Sequence, residues 1–240
     1  MVLLFSITLP AFAKEESASA PFIFVHGVCG WGEGSPEEAK TPYWGGKHET
    51  NAITNLRSKG YTVYNPPVGA YSSAWDRACE LFAELTGTVV DYGEAHSKKC
   101  GHARFGRDYT GNAVMGEPWN LESPLNFVGH SFGGETIRLL ASLLAYGDET
   151  ETSACKDDCS ELFKGGHEKG IRSITTLSSP HNGSTVANYL SDTVVPAFLL
   201  IFVLRAASIT KIYNTDLMLD QWGITVDPDK NEKGTLDPKK

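Results

Sequence analysis

Short apolar runs that stop at glycine alternate along this chain with stretches whose apolar residues recur every three or four positions. Phe22-Ile23-Phe24-Val25 ends in His26-Gly27-Val28-Cys29-Gly30, which predicts a buried parallel strand feeding a Gly-rich turn. A helical stretch near Asn51 to Ser58 stops at Gly60, and Tyr61-Thr62-Val63-Tyr64 predicts a second strand closed by Asn65-Pro66-Pro67. With Ser72 or Ser73 as N-cap, Trp75, Ala78, Leu81, Phe82 and Leu85 share one helical face, and Gly87 ends the helix. Residues 90–102 are polar and broken by glycine, which predicts a loop. A third apolar run ends in Phe127-Val128, and Glu135 to Tyr146 then aligns Ile137, Leu140, Leu143 and Leu144 as a helix. The charged stretch Gly147 to Lys169 predicts an excursion over the surface, before a last β-like run from Ile171 to Leu177. Strands alternating with helices imply an α/β fold with a mostly parallel sheet and helical crossovers.

At 240 residues, 41% hydrophobic and 21% charged, the chain can build a sizeable single core. A net charge of -8 argues against nucleic acid or an anionic membrane as an electrostatic partner. Val194 to Leu204 is the most hydrophobic stretch, but a bilayer span needs about 20 apolar residues and Pro196 interrupts it. It reads either as a buried core helix or as a lid whose apolar face meets lipid. Residues 1–13 end in Ala11-Phe12-Ala13, an A-x-A pattern that predicts a secretory signal; a buried first strand is the alternative. Residues 224–240 form a polar tail without periodicity. Of the five cysteines, Cys155 and Cys159 are close enough to pair in an exported protein, or all five are free thiols.

The chemistry centres on Gly129-His130-Ser131-Phe132-Gly133, a G-x-S-x-G between a strand and a helix. Such a nucleophile elbow holds its serine in a strained turn, and small residues allow strand and helix to approach. Ser131 is therefore the candidate nucleophile, standing at the carboxyl end of a parallel strand. The backbone N–H groups of Val28 and Phe132 are the candidate oxyanion-hole donors, one from the Gly-rich turn and one from the residue after the serine. His96 and His102, with Asp76, Asp91 or Asp108 nearby in sequence, could hold zinc, or be ordinary surface histidines.

Assembled, these residues resemble the zinc-containing bacterial lipases of the staphylococcal and thermoalkaliphilic bacillus type, within the α/β-hydrolase superfamily. The blocks that carry the likeness run from about Pro21 to Gly223. They include His26-Gly27, Gly30-Trp31-Gly32, Tyr43-Trp44-Gly45-Gly46, Ser73-Ala74-Trp75-Asp76-Arg77-Ala78-Cys79-Glu80, Gly101-His102-Ala103-Arg104-Phe105-Gly106-Arg107 and Leu219-Asp220-Gln221-Trp222-Gly223. The resemblance implies an α/β-hydrolase domain over residues 14–223, with a zinc-binding extra region and a helical lid over residues 184–207. It places four zinc ligands on Asp76, His96, His102 and Asp220, a closed set that makes the metal structural, and leaves Cys100 without a ligand role. It also implies a secreted triacylglycerol lipase acting on acylglycerol at a lipid–water interface, with no transmembrane segment. The resemblance puts the family's catalytic Asp and His, and its calcium site, in a C-terminal part beyond these 240 residues, so no residue here is expected to take the triad Asp or His role. The expected alternative is an inactive fragment that keeps the fold and binds lipid, with one sheet edge exposed.

Overall fold

The computed structural model describes residues 20–46 and 50–185. The predicted signal segment, the Val194 to Leu204 run, Asp220 and the polar tail all lie outside these residues. Among the described residues, four parallel strands form one sheet: β1 (Phe22–Val25), β2 (Val63–Tyr64), β5 (Leu125–His130) and β6 (Ile171–Leu177), in the order β2-β1-β5-β6. The register sets Val25 beside Gly129 and His130 beside Leu177, so the carboxyl ends of β1, β5 and β6 lie together. The helices are α1 (Pro36–Lys40), α2 (Ala52–Ser58), α3 (Ala74–Thr86), α4 (Glu94–Cys100), α5 (Phe132–Tyr146) and α6 (Glu149–Cys155).

Because successive strand residues face opposite ways, β1 divides its side chains between two cores. Ile23 and Val25 join Phe127, Leu81, Leu85, Ile137, Leu140 and Leu144, the cluster under α3 and α5. Phe24 points the other way, into a smaller cluster with Ile53 of α2 and Val63 of β2. The caps follow the sequence. Asn51 accepts the Thr54 N–H at 3.0 Å and starts α2, while Ser73 accepts the Asp76 N–H at 3.1 Å and starts α3. Gly87, at φ 64°, closes α3 in the left-handed conformation that glycine tolerates best. At the far side of the sheet, β6 leaves Arg172, Ser173, Ile174 and Thr175 exposed.

Three stretches depart from expectation. Residues 90–102 are not a loop: β3 (Val89–Asp91) and β4 (Phe105–Asp108) pair antiparallel and enclose α4. Glycines mark the ends of that helix rather than breaking it, with Gly93 at φ 91° and Gly101 at φ 77°. The stretch from Gly147 to Lys169 is more than a surface excursion, since α6 lies within it and Leu162 and Phe163 are completely buried. The helix α3 is buried on its polar side too: Arg77, Glu80 and Glu84 are as enclosed as Leu81 and Leu85. Cys155 is bonded to Cys159, with their Cα atoms 5.2 Å apart, and Cys29, Cys79 and Cys100 are free thiols.

Candidate active site and metal site

Ser131 sits between β5 and α5 at φ 51° and ψ −127°, a conformation that L-residues rarely adopt. The strain has local causes. The Ser131 N–H donates to the Leu177 carbonyl at 2.8 Å, tying the elbow to the end of β6. On either side, glycine permits contacts that a side chain would block. A Cβ at Gly129 would lie 2.6 Å from the Gly134 nitrogen, and one at Gly133 would strike the Val25 and His26 carbonyl oxygens. The G-x-S-x-G spacing thus lets a helix start directly against the strand ends.

The turn after β1 is drawn against this serine. A Cβ on Gly27 would lie 2.8 Å from the Ser131 Cβ and 3.1 Å from the His130 carbonyl. His26 is fully buried, and burial and the neighbouring Arg77 charge push its imidazole down to about 3, so it stays neutral. Its tautomer follows from its partners: Nε2 accepts the Val68 N–H at 3.2 Å, and Nδ1–H donates to the Gly27 carbonyl at 2.8 Å. The Gly27 N–H donates to the Tyr43 hydroxyl at 2.9 Å, and that hydroxyl lies 2.6 Å from His130 Nδ1.

The two candidate donors are backbone N–H groups at this junction. Val28 makes no hydrogen bond through its N–H among the described residues, and its side chain is exposed. Phe132 is the first residue of α5, where the N–H precedes the first intrahelical bond. Two such donors beside a serine hydroxyl can stabilise negative charge that develops on an acyl oxygen. Among the described residues no side chain hydrogen-bonds the Ser131 hydroxyl. His181 instead places Nε2 3.1 Å from the Thr176 hydroxyl and Nδ1 3.5 Å from Glu135, and His167 lies 3.7 Å from Glu161.

A second cluster joins three of the four residues proposed as zinc ligands. Asp76, in the first turn of α3, is buried and has its Oδ2 fixed by the Ser73 hydroxyl at 2.9 Å. Its Oδ1 lies 2.9 Å from His96 Nε2 and 3.7 Å from His102 Nε2. Tetrahedral zinc with bonds of about 2.0–2.2 Å separates its ligand atoms by about 3.4 Å, a spacing these two distances bracket. The imidazoles are braced by aromatic neighbours: Trp75 stacks on His96 at 5.1 Å, and Tyr92 meets His102 edge-on at 5.3 Å. Cys100, one turn after His96, brings Sγ to 3.8 Å from His96 Nδ1 and belongs with both histidines to a group able to hold a metal. Asp91 and Asp108 take no part; Asp91 is an ion-pair partner of Arg104 at 2.9 Å. Asp220 lies outside the described residues.

Sequence reading did not single out Tyr43 or Arg77. The available signal for Arg77 was its place one residue after Asp76, in a helix whose other face already filled the core; the ring of Tyr43 offered none.

Comparison with known proteins identifies a family. A family model described as "Lipase-like, C-terminal domain" matches residues 18–234. "Lipase 2" of Staphylococcus aureus is 40% identical over 216 residues, covering 88% of this chain and 30% of that protein. The crystal structure of Staphylococcus hyicus lipase aligns with a TM-score of 0.73 at 39% identity, over 85% of this chain and 52% of the other. Lipase 1 from Pelosinus fermentans aligns at 0.70 and 38% identity, over 91% and 55% respectively. The chain therefore spans about 30% of the length of the curated relatives it matches.

Proposed function

The chain belongs to the lipase-like C-terminal domain family, and from that premise we propose that it is the serine-bearing part of a secreted carboxylic-ester hydrolase acting on acylglycerols. Ser131 Oγ attacks the ester carbonyl, the developing oxyanion takes the Val28 and Phe132 N–H groups, and expulsion of the alcohol leaves an acyl-enzyme. Water then cleaves that ester and frees the fatty acid. A base must take the serine proton in the first step and return one to the leaving alkoxide. The observation that carries the reading is the junction itself: a strained serine, a glycine pressed against it, and, on the next residue of the turn, an N–H without a partner among the described residues.

A metal on Asp76, His96 and His102 suits this reading as a structural element. If Asp220 supplied the fourth ligand, these residues would hold a zinc ion as a closed, structural site that would tie α3 to the excursion around α4 and would supply no chemistry at Ser131. The bonded Cys155 and Cys159 support an oxidising, extracellular setting. Among the described residues no helix is long and apolar enough to cross a membrane.

One observation favours the alternative, an inactive chain that keeps the fold and binds lipid: no side chain among the described residues engages the Ser131 hydroxyl. Hydrolysis of short- and long-chain p-nitrophenyl esters by the purified chain, beside Ser131→Ala, decides between them. Turnover that vanishes in the variant establishes the hydrolase; equal inertness of the two leaves the lipid-binding reading.

A further inference from the structure

We infer that Arg77 is a positioning residue for the oxyanion hole, its buried guanidinium orienting the peptide planes of the turn after β1 so that the Val28 N–H faces Ser131. The inference rests on the Ser131 reading above and concerns what aims one of its two donors.

A trans peptide sends its carbonyl and the following N–H in opposite directions, so a group that holds one aims the other. The His26 carbonyl accepts from Arg77 Nη2, and the Gly27 N–H of that same plane donates to the Tyr43 hydroxyl at 2.9 Å. In the next plane, the Gly27 carbonyl accepts from Arg77 Nη1 at 3.3 Å, His26 Nδ1–H at 2.8 Å and the Gly30 N–H at 3.2 Å. The opposite side of this second plane carries the Val28 N–H, the donor without a partner among the described residues. Arg77 also reaches the second donor residue, since its guanidinium carbon lies 5.2 Å from the centre of the Phe132 ring. One side chain therefore holds the peptide plane that carries the Val28 N–H and lies over the ring of the residue that carries the other donor.

Glu80 and Glu135 act on the Arg77 charge through space, yet neither lies at ion-pair distance from its guanidinium. Among the described residues the hydrogen bonds of Arg77 go to the carbonyls of His26, Gly27 and Gly69. Its planar fork suits this task because it can engage successive carbonyls while its face lies over a ring. Lysine would retain the charge and lose both the fork and the stacking.

The test uses the full chain with Arg77→Lys and Arg77→Ala, beside Ser131→Ala as the blank. Circular dichroism and thermal melting establish that each variant is folded. Arg77→Lys is expected to hydrolyse p-nitrophenyl butyrate with a kcat lower by about 10²–10³-fold, the loss typical of a misplaced oxyanion donor, and with KM within twofold. Guanidinium ion at millimolar concentration is expected to restore turnover to Arg77→Ala and not to Ser131→Ala. In ¹⁵N-labelled protein the Val28 amide should shift and exchange faster in Arg77→Lys, while amides of α5 beyond its first turn stay in place. Wild-type kcat together with an unmoved Val28 amide in Arg77→Lys overturns the inference. Should the wild type be no faster than Ser131→Ala, the hydrolase reading fails separately, and the Val28 amide alone decides the role of Arg77. If Arg77→Ala does not fold, Arg77→Lys carries the decision.

Discussion

The Tyr43 hydroxyl lies 2.6 Å from Nδ1 of His130 while it accepts the Gly27 N–H, so a single phenol joins the turn after β1 to the residue before Ser131. Burial pushes the phenol above its usual value, which keeps it protonated and able to donate to His130 Nδ1. Tyr43→Phe leaves the Gly27 N–H and His130 Nδ1 without that partner. The expected loss is about 1–3 kcal/mol of stability, read as a lower thermal midpoint at neutral pH, with a fall in ester turnover where the wild type is active. An unchanged midpoint would show that water replaces the phenol.

Gly27 admits no side chain. A methyl group there meets the Ser131 Cβ at 2.8 Å and both the His130 carbonyl and the Tyr43 hydroxyl at 3.1 Å. Gly27→Ala is expected to push the turn away from the elbow and abolish Ser131-dependent turnover even where the protein still melts cooperatively. Gly46→Ala has open space around its Cβ and serves as the control.

For the metal, the structure offers two donor sets that spectroscopy can separate. Asp76, His96 and His102 converge through Oδ1 and two Nε2 atoms, while Cys100 faces the other nitrogen of His96. The wild-type chain is expected to bind one zinc or cobalt(II) ion, and Asp76→Asn or His102→Ala to lose it. A cobalt complex lacking the near-ultraviolet sulfur charge-transfer band, and unchanged in Cys100→Ser, places the ion on the aspartate side. A strong band that vanishes in Cys100→Ser places it on the thiolate side instead.

Burial also makes stability depend on pH through Glu80. Burial outweighs its hydrogen bonds from the Gly69 N–H and the Tyr92 hydroxyl, and pushes its carboxyl up to about 7. A carboxyl raised on folding contributes fully below its ordinary pKa, and the contribution fades as pH climbs through the folded value. Relative to wild type, Glu80→Gln should therefore gain in thermal midpoint between about pH 4.5 and 7 and level off above. His26, lowered to about 3, acts in the opposite sense, losing its contribution as pH falls below its ordinary value. The difference between the two proteins isolates Glu80, and a flat difference across that window rules the mechanism out.

Local chemistry made much of this molecule legible in advance. The strand at Phe22–Val25, the Ser73 cap, the Gly87 stop and the strained Ser131 each follow from a few adjacent residues, and the structure places them where the pattern does. What escaped depends on distant partners. The helix α4 could not be foreseen from a polar, Gly-rich stretch because its support comes from Glu151, 55 residues beyond His96. Nor could periodicity foretell that the polar side of α3 is buried, because the groups that receive Arg77 are backbone carbonyls of another segment, and carbonyls leave no mark in a sequence. The expectation of zinc ligands came from family resemblance; the residues alone allowed several carboxylates, and the fold sets Asp76 rather than Asp91 or Asp108 beside His96 and His102.

The carboxylate of Glu151 accepts the N–H groups of Ala95 and His96 at 2.9 and 2.7 Å, and a Cβ on Gly93 would collide with it. A seven-residue helix is too short to persist alone, and α6 anchors the first turn of α4 through that carboxylate. The short helix α6 is stapled in turn by the bond between Cys155 and Cys159 just past its end. A reductant acting on that bond therefore reaches the histidines at second hand, by freeing Glu151. Lys98 and Lys99, exposed on α4, would then open to trypsin, and the speed of that cut clocks the loosening of the whole excursion while the parallel sheet stays intact.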